Sequence, residues 1–177
     1  HELTQKRDIA ILSLFLGTGM RISELIGIDK KDVDFSSNAV KITRKGGNTS
    51  IIYFPEEVSL ALQDYINWID EYSEKNSEFA NKIKNTDALF LSLQGARISV
   101  RAVENLVKKY AQIIAPLKKI TPHKLRSTFG TGLYRDTRDI YIVADLLGHK
   151  DINTTKKHYA AISDDVRRSV AGKVKLK

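Results

Sequence analysis

After Thr4 comes the stretch QKRDIAILSLFLG, in which Ile9, Leu12 and Leu16 recur at helical intervals. This pattern predicts a helix capped by Thr4, with those residues and their neighbours facing inward and Gly17 and Gly19 at its end. RISELIGI reads as a short second helix turning back. NAVKITRKGGNTSIIYF then changes period: two β-branched runs flank Gly46-Gly47, which predicts a hairpin. Pro55 opens an amphipathic helix to about Tyr72, with Val58, Leu62, Ile66 and Ile69 on one stripe. SEKNSEFANKIKNT is polar and reads as an exposed connection, and DALFLSL as a short extended piece. SVRAVENLVKKYAQIIA is a further helix, capped by Ser99 and burying Val103, Leu106, Tyr110 and Ile113. In TPHKLRSTFGT, Thr121 caps a helix and Pro122 takes its first position. DIYIVADLLG forms another helix that Gly148 ends. Asn153 is positioned to cap a short helix holding Tyr159, and Ser163 to cap a last one. The fold class that follows is mainly α with one small antiparallel β-sheet (α+β).

The chain has 177 residues, enough for one domain with a real core. Its longest apolar run, from Ile9 to Leu16, is interrupted by Ser13 and far too short to span a bilayer. There is no cysteine, so disulfides and thiolate metal sites are excluded; a reducing cytosol is consistent with this. The formal net charge is +8 and the pI about 9.6, an excess that favours a polyanion such as nucleic acid as partner. The opening His1-Glu2-Leu3 reads as the start of a fragment, with an N-terminal domain expected before it.

Four short stretches hold residues suited to chemistry. His123 and Arg126, three apart, share the opening turns of a helix, where unpaired N–H groups and the dipole favour an anion, and both side chains can donate to a phosphate. The same pair could equally be a basic surface turn. Arg21 follows two glycines at a helix start, with Glu24 one turn on. Such a pair is commonplace on solvated helices, but the apolar flanks Met20, Ile22, Leu25 and Ile26 argue for a partly buried arginine, paired or facing a ligand. Lys45 stands at the hairpin tip, where it could reach a phosphate or be an ordinary solvated turn residue. His149 follows a helix-ending glycine, and Tyr159 comes ten residues later, either as core filling or as a nucleophile. His123, His149 and His158 lack the spacing of a zinc site, and DKKDVDF lacks the glycine and terminal glutamate of a calcium loop and reads as a turn.

Arginine in GTGMRISEL, lysine in a hairpin, H-x-x-R, then L-G-H followed by tyrosine: this order resembles the catalytic domain of tyrosine recombinases, the phage-integrase and Xer family. The resemblance runs from DIAILSLFLGTGMRISEL to Tyr159. LSLFLGTGMRISELIGIDKKDVDF is most similar to Xer-type enzymes, and TRKGG to their single-enzyme streptococcal branch, XerS.

The resemblance implies that residues 1–177 form a single C-terminal catalytic domain. It also implies that Tyr159 attacks a DNA phosphodiester and forms a 3′-phosphotyrosine link, without metal, ATP or other cofactor. Arg21, Arg126 and His149 would then stabilise charge on the phosphate, His123 would shuttle the tyrosine proton, and Lys45 would protonate the departing 5′-oxygen. Glu24 would orient an arginine, while Lys41, Lys118, Lys119, Lys156 and Lys157 would grip backbone phosphates. His158 would be a neighbour of this set. Double-stranded DNA is the implied partner, with four protomers on paired sites, residues 163–177 as an exchanged C-terminal helix, and a DNA-translocase as a further partner. The implied location is the bacterial cytoplasm, at the nucleoid, and the implied biology chromosome-dimer resolution or mobile-element integration. Two rivals share parts of this pattern: a type IB topoisomerase and a non-catalytic DNA-binding module of the same fold.

Overall fold

A computed structural model describes residues 2–149, 151–153 and 155–156. The chain divides into two compact units between Ser127 and Thr128.

The first unit opens with α1 (Glu2–Thr18) and α2 (Ile22–Ile26). A 3₁₀ turn (Lys30–Asp32) follows, then β1 (Val33–Asp34), β2 (Ala39–Thr43) and β3 (Thr49–Tyr53). Next come α3 (Glu56–Lys75), α4 (Ser77–Ile83), α5 (Val100–Ile114) and the start of α6 (Pro122–Thr137). The strands form an antiparallel sheet in the order β1-β2-β3, with Val40 opposite Ile52 and Ile42 opposite Ser50. Val40, Ile42 and Ile52 are buried while Lys41, Thr43, Ile51 and Tyr53 are exposed, so the period-2 pattern sends one face to the core. The mainly helical class with one small antiparallel sheet is therefore the observed one. DKKDVDF, expected to be a turn, supplies the 3₁₀ turn and the edge strand β1.

Helix α1 is turned relative to its expected orientation. Ala10, Ile11, Leu14 and Phe15 are buried, whereas Ile9 and Leu16 are about half exposed. Apolar residues surround this helix, so spacing alone does not select a face. Packing against α3 selects it: a Cβ on Gly17 would come within 2.6 Å of Val58 Cγ2, so Gly17 lies inside the helix as a contact point and does not end it. The helix runs to Thr18, and Gly19, in the left-handed region, stops it. It also begins at Glu2, which places Thr4 inside its first turn and not at its cap.

The remaining helices follow the pattern with local corrections. Val58, Leu62 and Ile69 of α3 are buried, together with Tyr65, and the helix runs on to Lys75. The segment read as an exposed connection contains α4: Asn76 caps it through a bond from Phe79 N, and Phe79 buries its ring edge-on against Tyr72, 5.1 Å between centroids. Ser99 caps α5 as expected, accepting from Ala102 N at 3.2 Å. Ile113, however, is 71% exposed, because the buried face of α5 is Val103, Leu106, Val107 and Ala111. Ala88 to Leu91 pass through the core as an extended piece held by bridges to Asp29 and Arg97.

In the second unit, the later part of α6 and α7 (Ile140–Leu146) close around Val143 and Leu147, packed by Phe129, Leu133, Tyr134 and Ile140. Asp139 caps α7, accepting from Tyr141 N and Ile142 N. At its end Gly148 N donates to Asp145 O and His149 N to Ala144 O, with Gly148 at φ 62°. This is a Schellman ending, and a side chain at Gly148 would oppose the left-handed turn. Ile152, Asn153, Thr155 and Lys156 are helical, and Asp151 accepts from Asn153 N at 2.8 Å. The cap is thus Asp151, two residues before the expected Asn153. Tyr159, the cap assigned to Ser163 and the helix expected over 163–177 lie outside the described residues.

Tyr65 is fully buried, stacks on Phe90, and accepts a hydrogen bond from Leu91 N at 3.0 Å. Burial raises its hydroxyl from 10.0 to about 12. Ionisation is thus harder in the folded than in the unfolded chain, so the contribution to stability is complete below pH 10 and is lost as pH rises toward 12. Tyr65→Phe leaves Leu91 N–H buried without its acceptor and should cost about 1–3 kcal/mol at neutral pH. Denaturant unfolding from pH 8 to 12 should show the alkaline loss shrinking in that variant.

Candidate active site

Arg21 stands between α1 and α2 with its side chain 41% exposed, whereas Glu24 is only 4% exposed. Arg21 is partly buried and paired, as expected, and its partner carboxylate is the more deeply buried of the two. A buried carboxylate must be compensated, and Glu24 is compensated from two directions. Its Oε2 accepts from Arg21 N at 2.7 Å, which closes the first turn of α2, and its Oε1 accepts from Arg21 Nη1 at 3.0 Å. Arg44 Nε lies 4.0 Å from the same Oε1. One carboxylate thereby holds the arginine that precedes α2 and meets the arginine that follows β2.

Arg126, on α6, is 7% exposed and donates from Nη1 to Gly19 O at 2.7 Å. That carbonyl belongs to the turn leading into Arg21, so the two expected arginines are anchored on one loop from separate elements. Thr121 Oγ1 accepts from Lys124 N at 3.2 Å and caps the helix that carries both His123 and Arg126. His123 is exposed one turn before Arg126. Lys45 is exposed beside Arg44, in the turn that Arg44 N closes on Asn48 O at 2.7 Å.

In the second unit, His149 Nδ1 lies 2.6 Å from Thr155 Oγ1, and Thr155 is completely buried. The Schellman ending sets the backbone of His149 and Thr155 sets its ring. Lys41, Lys118, Lys119 and Lys156 are exposed. Lys118 and Lys119 line an open groove of about 580 Å³ with Lys108, Pro116 and Leu117. Lys157, His158 and Tyr159 are outside the described residues. Among the described residues no group of three His, Asp or Glu could hold a metal ion, and no helix is long and apolar enough to cross a membrane.

Two residues of this arrangement escaped the sequence reading. Arg44 had a signal, its place beside Lys45, but nothing in the sequence aims it at Glu24. Thr155 had none, since a threonine in a polar run does not announce that it is buried against a histidine.

Guanidinium and imidazole donors on fixed elements, and an exposed lysine on a turn, are groups able to donate to a phosphate. A sequence model of the phage integrase family matches residues 2–165, and the chain belongs to that family. The tyrosine recombinase XerC of Natranaerobius thermophilus is 38% identical over 151 residues, which cover 85% of this chain and 49% of XerC. The crystal structure of the XerA recombinase aligns with a TM-score of 0.80 at 25% identity, over 98% of this chain and 60% of that one. The Tn1549 transposon integrase, solved in complex with transposon right end DNA, aligns with a TM-score of 0.69 at 25% identity, over 93% of this chain and 58% of that one. The chain thus spans about half the length of the XerC relative.

Glu24→Gln keeps one acceptor oxygen, which can serve Arg21 N, but removes the charge, and Glu24→Ala removes both. Thermal unfolding should rank wild type above Gln and Gln above Ala, with Ala costing about 1–3 kcal/mol. For His149, Thr155→Val should change the ring-nitrogen shifts in a long-range ¹⁵N–¹H spectrum, and Thr155→Ser should leave them close to wild type.

Proposed function

We infer that this chain is the catalytic part of a site-specific DNA recombinase that cuts and rejoins strands through Tyr159. The observation that carries the reading is the anchoring of two arginines on one loop, Arg21 by Glu24 and Arg126 by Gly19 O. The family membership and the DNA-bound integrase relative support it.

In the proposed reaction the phenolic oxygen of Tyr159 attacks the phosphorus of a DNA phosphodiester. The bond from phosphorus to the 5′-oxygen breaks, leaving a 3′-phosphotyrosine. The phenol proton passes to His123, whose imidazole nitrogen can accept it. The departing 5′-oxygen takes a proton from Lys45. Arg21, Arg126 and His149 meet the charge that grows on the non-bridging oxygens. In the return step a 5′-hydroxyl attacks the same phosphorus and the tyrosine leaves with a proton. One ester replaces another, so the energy of the bond is kept and neither ATP nor a metal ion is required.

Lys41, Lys118, Lys119, Lys156 and Lys157 supply backbone contacts, which give affinity and salt dependence without sequence choice. The active assembly is a tetramer on two DNA sites, with residues 163–177 as the exchanged helix. It works in the bacterial cytoplasm, at the nucleoid, and a DNA-translocase is a candidate regulator.

The full-length protein should form a covalent adduct on a suicide substrate nicked beside the cleavage point, and Tyr159→Phe should form none. The adduct should persist in EDTA and without ATP. If wild type and Tyr159→Phe behave identically on every candidate site, with DNA binding intact, the binding-only reading stands instead. Multi-turn relaxation of plasmids without a paired site would favour a type IB topoisomerase.

A further inference from the structure

Arg44 follows the last residue of β2 and starts the turn that carries Lys45. Its backbone closes that turn twice: Arg44 N donates to Asn48 O at 2.7 Å, and Gly47 N donates to Arg44 O at 3.0 Å. Between these bonds stand Lys45, Gly46 and Gly47, with both glycines at positive φ, 96° and 82°. Such a turn is a poor holder of a side chain by itself, because glycine leaves its backbone freedom unrestricted. The side chain of Arg44 leaves the turn and runs inward. It is 22% exposed, and its Nε lies 4.0 Å from Oε1 of the buried Glu24. That oxygen is the one that accepts from Arg21 Nη1. Through Arg44, the turn of Lys45 and the side chain of Arg21 are referred to a single carboxylate.

We propose that Arg44 is a positioning residue for Lys45. By anchoring the root of the hairpin turn to Glu24, it holds the ammonium of Lys45 in register with Arg21, so that the general acid and the phosphate clamp meet the same phosphodiester. Arg44 itself touches neither the substrate nor the proton in flight. This proposal rests on the role given to Lys45 above. The charge on Arg44 matters because Glu24 is nearly free of water, where a second cation is felt more strongly than at the surface. The geometry matters because a small misplacement of a proton donor costs rate steeply.

The test separates the acid from the clamp. A 5′-bridging sulfur in place of the 5′-oxygen makes a leaving group that departs without a proton, so its cleavage does not need the acid. In the full-length protein, Arg44→Met keeps the aliphatic stem and removes the charge. It should slow formation of the covalent adduct on the oxygen substrate on the order of 10- to 100-fold, and cleave the sulfur substrate within about threefold of wild type. Lys45→Ala should show the same pattern, while Arg21→Ala should be slow on both substrates. Arg44→Lys, which keeps a charge with different reach, should lose part of the rate on oxygen and none on sulfur. It provides a second reading if the Met variant does not fold, as checked by circular dichroism. An Arg44→Met protein that cleaves the oxygen substrate within twofold of wild type overturns the proposal, as does one equally slow on both. Lys45→Ala left slow on the sulfur substrate overturns the role of Lys45, a distinct failure. Wild type that cleaves neither substrate overturns both.

Discussion

Glu24 is a carboxylate almost without access to water, and the geometry of the first unit's basic residues hangs on its compensation. A carboxylate so placed is tolerated only if its oxygens are occupied by donors and its charge is answered. Arg21 meets that demand with both its backbone and its side chain, and Arg44 adds a second cation from the sheet. The burial of the acid fixes the base: a long arginine, only partly covered, is held in one orientation because its partner has nowhere else to turn. This is preorganisation built from an unfavourable burial, and it is the device that an electrostatic phosphate site requires.

The rest of the first unit places donors around that pair. Helix α1 packs on α3 at Gly17, and Gly19, in the left-handed region, ends it. The loop after it presents Gly19 O to Arg126 and leads directly into Arg21. The sheet brings the Lys45 turn to the same neighbourhood through Arg44. In the second unit a different device serves His149: a Schellman ending sets the main chain, and the buried hydroxyl of Thr155 sets the ring. Four of the side chains proposed for the reaction stand where an element ends or begins: Arg21 before α2, Lys45 after β2, His123 in the first turn of α6 and His149 beyond α7. Such places leave a side chain accessible while its backbone stays rigid.

The positions where pattern reading failed share a cause. Ile9 and Leu16 are apolar and well spaced, yet they face outward, because α1 is rich in apolar residues on all sides and offers more than one stripe; Ile113 stands near the end of α5, outside its buried face of Val103, Leu106, Val107 and Ala111. The segment after Lys75 looked too polar to fold, but one phenylalanine and one asparagine cap suffice to seat α4 when Tyr72 is present to receive the ring. A cap displaced from Asn153 to Asp151 reflects the near equivalence of the two side chains as acceptors. In each case a short-range rule allowed several outcomes; for α1 the distant contact of Gly17 with Val58 chose among them, and for α4 the nearby ring of Tyr72.

What the sequence by itself determined is the frame. Turn glycines, caps, a period that switches from helix to strand and back, and the order Arg21, Lys45, His123, Arg126, His149 are local properties of the chain, so they can be read without coordinates. What only the tertiary structure decided is which charge is buried and who answers it. That Glu24 is covered more deeply than Arg21, that Arg44 turns inward, that Arg126 spends a donor on Gly19 O and that Thr155 lies against His149 all depend on residues brought together from distant elements or neighbouring turns. Burial is a property of the packed whole, and electrostatic positioning follows burial.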